Sequence, residues 1–278
     1  MTAPYTTFLH AKTQTASLFD LGPTAFELAM VERDAGALFV VNHSGGKDSQ
    51  AMLIEVLRLV PAAQVLVVHA TLGEAEWPGA LEHAQQQAED AGVPFRVAQS
   101  VKTFFEMVEH RFKVRPGPNS PCWPSASNRQ CTSDLKRGPI EREVRRYAKE
   151  HGHLRIVGCM GLRASESPRR AKAQPWRLND GQSVAGRTWY EWLPIHELNT
   201  AEVLSTVKAA GQQLHPAYAL GNERLSCVFC IMASANDLRN GAIHNPALYA
   251  KYVEIERRTG YTMHMSRKSL PELTGIPA

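Results

Sequence analysis

A chain of 278 residues with 44% hydrophobic and 21% charged residues has enough apolar surface for a sizeable core, which argues against disorder. Its 31 basic and 27 acidic residues leave a net charge of +4, which permits a nucleotide or nucleic-acid partner without indicating one. No apolar run approaches the roughly 20 residues of a membrane span. The first residues lack the pattern of a secretory signal. We therefore expect a cytoplasmic protein with no membrane partner.

Helix-length and strand-length patterns alternate through the first half of the chain. Helices are expected at residues 23–34, 52–60, 81–91 and 103–112, the second of them ended by Pro61. Between them, apolar runs at 37–41, 65–69 and 95–98 are typical of strands.

The second half begins with a Pro-, Gly- and Ser-rich stretch at 113–130, which we interpret as a long functional loop. A charged helix at 139–150 and a strand at 154–159 follow. Residues 164–188 are polar without a clear period, so we expect a lid or flexible flap there. A last strand at 189–194 and a helix at 201–210 complete the alternation.

This order of elements predicts an α/β fold, a doubly wound and mostly parallel sheet with helices on both faces. Beyond Gly221 the pattern becomes helical without strands. We therefore expect an α/β domain over residues 1–220 and a helical C-terminal appendage over 221–278. In such sheets the ligand lies beyond the carboxyl ends of the strands, where the strand order reverses.

The turn between the first strand and its helix reads Ser44-Gly45-Gly46-Lys47-Asp48-Ser49. Two glycines let the backbone approach an anion, and the amides and dipole at a helix start favour phosphate oxygens. A Walker motif would need another glycine where Val41 stands, so the pattern indicates a phosphate site of another class. The alternative is a plain glycine turn without a ligand.

The turn SGGKDS resembles the PP-loop of the N-type ATP pyrophosphatases. Three later segments resemble the phosphoadenosine phosphosulfate (PAPS) reductase branch of that superfamily: RQCTSDLKRGP at 129–139, GLRASESPRR at 161–170 and HPAYALGNERLSCVFC at 215–230. The resemblance implies an adenine nucleotide alpha hydrolase-like fold and cleavage of ATP to AMP and pyrophosphate. It further implies that an acceptor is adenylated, with sulfur transfer as the purpose.

Two departures from the reductases matter. No cysteine follows Cys230, and HATLG at 69–73 differs from the DTG common in reductases. The chain therefore resembles more closely the ATP-using relatives such as the DNA phosphorothioation ATP pyrophosphatases. The partners implied are ATP with Mg²⁺, an unidentified acceptor with nucleic acid as one candidate, a sulfur-donor protein and a second copy of the chain.

The resemblance and the charges suggest a role for each residue. Lys47 would hold the departing pyrophosphate, and Arg163 would reach a phosphate oxygen with its planar guanidinium. Asp48 would orient Mg²⁺, or would simply be a carboxylate favoured at a helix start. The other predicted nucleotide contacts, besides residues 44–49, are His69, Lys136, Gly161 and Arg169. For His69 a satisfied surface histidine, and for Arg169 a solvated basic flap, is the alternative.

The chain contains five cysteines, of which Cys227 and Cys230 form a C-x-x-C pair. Together with Cys122 and Cys131 they supply the four soft ligands that zinc or an iron–sulfur cluster requires. The resemblance favours a four-iron four-sulfur (4Fe-4S) cluster, with zinc second. A redox dithiol or merely buried thiols are the alternatives, and Cys159 reads as a core residue.

Two other functions stay open from the sequence. The first is a sulfonucleotide reductase that forms sulfite from PAPS and needs a nucleophilic thiol. The second is a non-catalytic nucleotide-sensing or nucleic-acid-binding subunit that binds ATP without turning it over.

Overall fold

The computed structural model describes residues 22–114, 117 and 120–277. Its central feature is a sheet of six strands, of which five run parallel and one is antiparallel at the edge. The strands are β1 Leu38–Asn42, β2 Val65–Thr71, β3 Phe95–Gln99, β4 Arg155–Cys159, β5 Trp176–Leu178 and β6 Thr188–Trp192.

The order of strands across the sheet is β3-β2-β1-β4-β6-β5. From β1 the chain first adds β2 and β3 on one side, and then returns to place β4 on the other side. The strand order therefore reverses between β1 and β4, which pair in register from Leu38 opposite Ile156 to Val41 opposite Cys159. This arrangement confirms the predicted doubly wound α/β fold.

Eleven α-helices lie in the described part of the chain, together with short 3₁₀ and π turns. They are α1 Ala25–Asp34, α2 Lys47–Leu59, α3 Ala80–Asp90, α4 Phe104–Val114, α5 Gln130–Thr132, α6 Gly138–His151, α7 Pro168–Ala171, α8 Thr200–Ala209, α9 Ala235–His244, α10 Pro246–Thr259 and α11 Leu270–Thr274. The start of α1 illustrates why they form where they do. Thr24 accepts the backbone N–H of Glu27, and the Glu27 carboxylate accepts that of Thr24, a reciprocal cap.

Apolar residues of β1 cover both faces of the sheet, because successive side chains of a strand point to opposite sides. Phe39 and Val41 pack into one core with α1 and α2. Leu38 and Val40 pack into a second core with α6. The sheet is thus the middle of three layers. Its central strands β1, β2 and β4 are mostly buried, as their continuous apolar runs predicted, whereas β3 is largely half-buried or exposed.

The largest core lies beside the sheet and joins both predicted parts of the chain. It combines Phe104 and Trp123 with Phe229 and Tyr252 from the C-terminal region, all of them buried. Trp123 and Tyr252 stack with ring centroids 5.7 Å apart. The helical C-terminal region is present as expected, and it packs on α4 and the loop that follows.

The structure corrects one expectation about residues 164–188. This stretch is not an unstructured lid, because it contains α7 and the edge strand β5. Trp176 stacks on Tyr190 of β6 with centroids 4.9 Å apart, and Arg177 pairs with Glu191 across the two strands. Residues 176–178 of this stretch therefore belong to the sheet. Their contacts with β6 hold them there, and such contacts leave no periodic pattern in the sequence.

Candidate functional site

The site stands at the carboxyl ends of β1 and β4, where the strand order reverses. The turn at 43–46 leads from β1 into α2, and the segment at 160–163 follows β4. Because the two strands are adjacent and parallel, these segments meet at one edge of the sheet. This is the position at which doubly wound sheets bind ligands.

Gly45 shows why the turn needs glycine. Its φ angle is +76°, in the left-handed region, and a Cβ atom there would lie 2.6 Å from the carbonyl oxygen of Ala80. The turn is therefore pressed directly against the first residue of α3. A side chain at this position would have to push the two segments apart.

Three internal hydrogen bonds hold the turn. The Gly45 N–H donates to Nδ1 of His43 at 3.1 Å, the Ser44 N–H donates to Ser49 Oγ at 3.2 Å, and Ser49 Oγ donates to the Gly46 carbonyl at 2.8 Å. Burial lowers the pKa of His43 to about 3, so its ring is neutral and its Nδ1 can accept. The backbone is thus set before any ligand arrives.

Asp48 brings the two predicted catalytic cations together. Its carboxylate accepts a hydrogen bond from Arg163 Nε at 2.7 Å and lies 3.8 Å from Lys47 Nζ. Lys47 and Arg163 are only 5% and 4% exposed. Burial lowers the pKa of Lys47, and the neighbouring Asp48 charge opposes that shift. Since the carboxylate already faces two cations, Mg²⁺ binding at Asp48 stays a prediction.

A segment far along the chain covers the same turn. The Lys47 N–H donates to the Tyr218 hydroxyl at 2.9 Å, and Lys47 Nζ donates to the Glu223 carbonyl at 2.8 Å. A Cβ on Gly46 would lie 3.3 Å from both the Tyr218 hydroxyl and Leu225. Burial raises the pKa of Tyr218 to about 12, so the hydroxyl keeps its proton. Residues 218–225 therefore form one wall of the site.

Glu166 connects this centre to further arginines. Its carboxylate accepts the backbone N–H of Arg163 at 3.1 Å and pairs with the Arg170 guanidinium. Its other oxygen lies 3.9 Å from Arg224. Hydrogen bonds and positive charges together lower the pKa of Glu166 against the effect of burial, so it stays ionised between them.

Gly161 also belongs to this centre. A Cβ on it would lie 3.4 Å from the backbone carbonyl of Asp48, so the segment after β4 runs against the first turn of α2. This approach places Arg163 beside Asp48. Since 3.4 Å is an ordinary van der Waals distance, a methyl group would fit at Gly161, and its contact with the nucleotide stays a prediction.

The remaining predicted nucleotide contacts have different surroundings, and their binding role stays a prediction. His69 is 1% exposed, with its ring bonded to the His43 carbonyl at 2.9 Å and to Glu76 at 3.3 Å. It is therefore placed to hold the turn from behind. Arg169 is exposed on α7. The charge of Cys227 raises the pKa of Lys136, and burial opposes this shift. A nucleotide contact at Lys136 stays a prediction.

Cys131 and Cys227 pack against the largest core, and Cys230 lines a small cleft with Arg129 and Ser226. Burial is the largest cause of the raised pKa of Cys227, which is about 12. Cys122 is fully buried in the aromatic core beside Trp123. Within the residues that the structure describes, no group of three or more His, Cys, Asp or Glu side chains is close enough to hold a metal ion. As they stand, the thiols do not form a ligand set for a cluster.

A larger cavity of about 540 Å³ opens on the other side of the β2–α3 connection. It is lined by Thr71, Trp77 and Glu82 from that connection and by Asn245 and Lys251 from the start of α10. Its size falls within the range of small-molecule pockets. It contains none of the residues predicted from the sequence as ligands or catalysts.

Sequence reasoning assigned no role to Tyr218, Glu166 and Arg224, which the structure brings to the centre. All three stand inside segments that carry the family resemblance. The family resemblance of those segments marked them as important. Only the tertiary structure shows that these three residues lie beside Lys47 and Arg163.

Comparison with protein families gives one match. The sequence profile of the phosphoadenosine phosphosulfate reductase domain covers residues 39–233. A curated relative, an uncharacterised 37.8 kDa protein of Escherichia phage 186 from the gpa 5′ region, is 29% identical over 135 residues, 49% of this chain. The aligned part spans only 39% of the phage protein.

Among solved structures, the chain is similar to a phosphoadenylyl-sulfate (PAPS) reductase from Candida auris determined as a phosphate complex. The match has 13% identity and a TM-score of 0.46, and covers 74% of this chain and 88% of that one. A second similar structure is an FMN adenylyltransferase from Candida glabrata in complex with FAD and inorganic pyrophosphate. That match has 12% identity and a TM-score of 0.47, with 74% and 60% coverage. In the described part of the chain, no helix has the length and apolar character needed to cross a bilayer.

Proposed function

Because the chain belongs to the phosphoadenosine phosphosulfate reductase domain family, we propose that it is an ATP pyrophosphatase that adenylates an acceptor. The observation that carries this proposal is the junction of Lys47 and Arg163 through Asp48 at the reversal of strand order. Two buried cations beside a glycine turn and a helix start favour a ligand with several adjacent negative charges. The triphosphate of ATP is such a ligand.

In the proposed reaction a nucleophile of the acceptor attacks the α-phosphorus of ATP. The bond from that phosphorus to the oxygen bridging to the β-phosphorus breaks, pyrophosphate leaves with the electron pair, and the nucleophile loses its proton to water. Lys47 and the first-turn amides of α2, which have no partners within the helix, neutralise the pyrophosphate. Arg163 holds an oxygen of the α-phosphate. Asp48 keeps the two cations in place.

The adenylated acceptor then supplies AMP as a leaving group. In the second half of the proposed reaction, the outer sulfur of a donor-protein persulfide attacks the acceptor atom that carries the adenylate. The bond from that atom to the AMP oxygen breaks, and AMP leaves with the electron pair. A second thiol of the donor protein then releases the sulfur on the acceptor by forming a disulfide within the donor.

The test is incubation of the protein with ATP labelled at the α-phosphate, Mg²⁺ and candidate acceptors. AMP and pyrophosphate are the expected products, and the Lys47→Ala variant should form neither at a measurable rate. Lys208→Ala, an exposed lysine on α8, is the matched control. Formation of ADP would refute the proposal.

Reduction of PAPS is the second candidate, and the family match itself favours it. It would use a thiol of Cys131, Cys227 or Cys230 as the nucleophile. Release of sulfite from PAPS in the presence of thioredoxin would establish it. Tight ATP binding without any product, with DNA or RNA present, would instead point to a nucleotide-sensing subunit.

A 4Fe-4S cluster on Cys122, Cys131, Cys227 and Cys230, with zinc as the alternative, remains a prediction from the resemblance. No step proposed above depends on it. Iron, zinc and labile-sulfide analysis of protein purified without oxygen tests it. A colourless preparation with stoichiometric zinc would decide for the alternative.

A further inference from the structure

Three arginines from three separate segments line one small cleft beside the catalytic centre. Arg129 precedes α5, Arg170 belongs to α7, and Arg224 belongs to the wall formed by residues 218–225. Ser226 and Cys230 complete the lining on the C-terminal side. Guanidinium groups repel one another, so their convergence needs a compensating negative charge.

The described carboxylates compensate this charge only in part. Glu166 pairs with Arg170 and lies 3.9 Å from Arg224. Asp237 also lines the cleft and accepts the backbone N–H of Glu223 at 2.8 Å, so two carboxylates face three guanidinium groups. Arg129 has no carboxylate within ion-pair distance among the residues that the structure describes. The cleft therefore carries a surplus of positive charge.

The size of the cleft limits what it can bind. Its volume is about 50 Å³, on a scale where one water molecule needs roughly 10–15 Å³. A nucleotide does not fit, whereas a single phosphate or carboxylate group does. A guanidinium presents its N–H groups as a planar fork that matches either oxyanion.

The cleft adjoins the proposed ATP site, because Arg224 belongs both to the cleft and to the wall formed by residues 218–225. Glu166 links the two, since the same carboxylate holds the backbone of Arg163 and the side chain of Arg170. If the turn at 44–49 takes the triphosphate, an oxyanion in the cleft belongs to the other substrate.

We propose that Arg129, Arg170 and Arg224 bind a phosphate or carboxylate group of the acceptor and so present its nucleophile to the α-phosphate. This inference rests on the proposed function. It makes the acceptor an anionic molecule and gives Arg129 a binding role that its sequence context did not suggest.

The experiment uses the full-length protein saturated with α,β-methylene-ATP, which the enzyme cannot cleave at that bond. Inorganic phosphate is titrated in one arm and acetate in another, and binding is followed by calorimetry and by ³¹P NMR. We expect one anion per chain in addition to the nucleotide, with the tighter anion identifying the group on the acceptor. Arg129→Ala should weaken binding about tenfold or more, the usual loss for a charge-assisted hydrogen bond.

Arg129 is the informative position because, in the described residues, it holds no ion pair that folding could require. Arg129→Lys should retain part of the affinity, and Arg257→Ala, an exposed arginine on α10, should retain all of it. Nucleotide affinity should stay unchanged in all three variants.

Three results would overturn the inference. The first is competition of phosphate with the nucleotide, which would put the anion at the turn. The second is a failure of the arginines to matter, seen as unchanged anion binding in both Arg129→Ala and Arg224→Ala, or as no binding of phosphate or acetate by the wild type. The third is phosphate binding by a protein that does not bind the nucleotide, which removes the assignment to an acceptor. Only the third also refutes the proposed function, so the two failures are distinguishable.

Discussion

Asp48 lies between Arg163 and Lys47, the two cations that would bind phosphate oxygens in the proposed complex. The carboxylate is therefore a positioning group for two cations whose mutual repulsion would otherwise separate them. Removal of either cation leaves Asp48 with a single partner and reduces the charge available to the transition state.

Arg163→Ala should lower the rate of AMP formation by roughly 10²–10³-fold, the usual loss for one donor aimed at developing charge. Steady-state AMP formation and the Kd of α,β-methylene-ATP, measured separately, check this. Arg257→Ala is the matched control on an exposed helix face. An Arg163→Ala enzyme with full activity would remove Arg163 from the mechanism.

Gly45→Ala should destabilise the protein more than Gly92→Ala does. Both glycines have positive φ, which costs an alanine roughly 1–2 kcal/mol. At Gly92 nothing lies within 4 Å of the added Cβ, whereas at Gly45 the Ala80 carbonyl oxygen lies at 2.6 Å. The clash should add about 1–3 kcal/mol. Urea denaturation of both variants measures the difference.

In the same pair, only Gly45→Ala should weaken nucleotide binding, because only that turn belongs to the site. Equal losses of stability in the two variants would show that α3 yields to the added methyl group.

At the scale of single residues, the sequence predicted the grouping of Lys47, Asp48 and Arg163, because each follows a recognisable strand. It could not predict the contact of Tyr218 with Lys47, since 171 positions separate them in the chain. The contact of Lys136 with the nucleotide, which the sequence also predicted, stays a prediction.

Among the elements, α10 is attached to the C-terminal end of the chain by one buried carboxylate. Glu256 accepts the backbone N–H of Met263 at 2.6 Å and that of Leu270 at 2.9 Å. The second bond joins α10 directly to α11. A glutamine cannot replace both acceptors, because its amide nitrogen only donates.

Glu256→Gln should therefore lower the free energy of unfolding by about 1–3 kcal/mol near pH 4.5. Burial raises the pKa of Glu256 above its ordinary 4.5. As pH rises past 4.5, Glu256 loses its proton in the unfolded state before it does so in the folded state. The wild type therefore loses stability with rising pH until the raised pKa of Glu256 in the folded protein is passed. The advantage over Glu256→Gln should thus shrink with rising pH.

Chemical denaturation between about pH 4 and pH 7 measures this trend, with Glu254→Gln as the control at an exposed position of the same helix. A wild-type advantage that grows with pH would contradict the argument.

The elements that the sequence predicted well are those with a period of their own, such as α2 with its buried Met52, Leu53 and Val56. The sequence did not predict strand β5, because its three residues lie in a polar stretch and are stabilised by contacts with β6. The π turn Ser133–Arg137 continues the helix on the N-terminal side of α6. A single π turn has no characteristic spacing of apolar residues, so the sequence could not predict it.

At the scale of the whole molecule, the predicted boundary at residue 221 crosses the largest core. Phe104 and Trp123 from one side pack against Phe229 and Tyr252 from the other. A boundary drawn from composition marks where strands end, but apolar contacts decide which parts fold together.

We therefore expect the chain to unfold in a single transition. Trp123 reports on the shared core, and Trp189 and Trp192 report on the sheet. Urea curves from far-UV circular dichroism and from the fluorescence of single-tryptophan variants should coincide. A separate transition for Trp123 would show that residues 221–278 fold as a unit of their own.

The Tyr218 hydroxyl and the thiols of Cys227 and Cys230 belong to one stretch of backbone, in which Cys227 lies nine positions after Tyr218. A ligand that accepted the Lys47 N–H would replace its hydrogen bond to the Tyr218 hydroxyl. If that exchange shifts the stretch, thermodynamic linkage makes the two ends respond to each other. The rate of Cys230 alkylation with and without nucleotide measures this coupling, and equal rates would show that none exists.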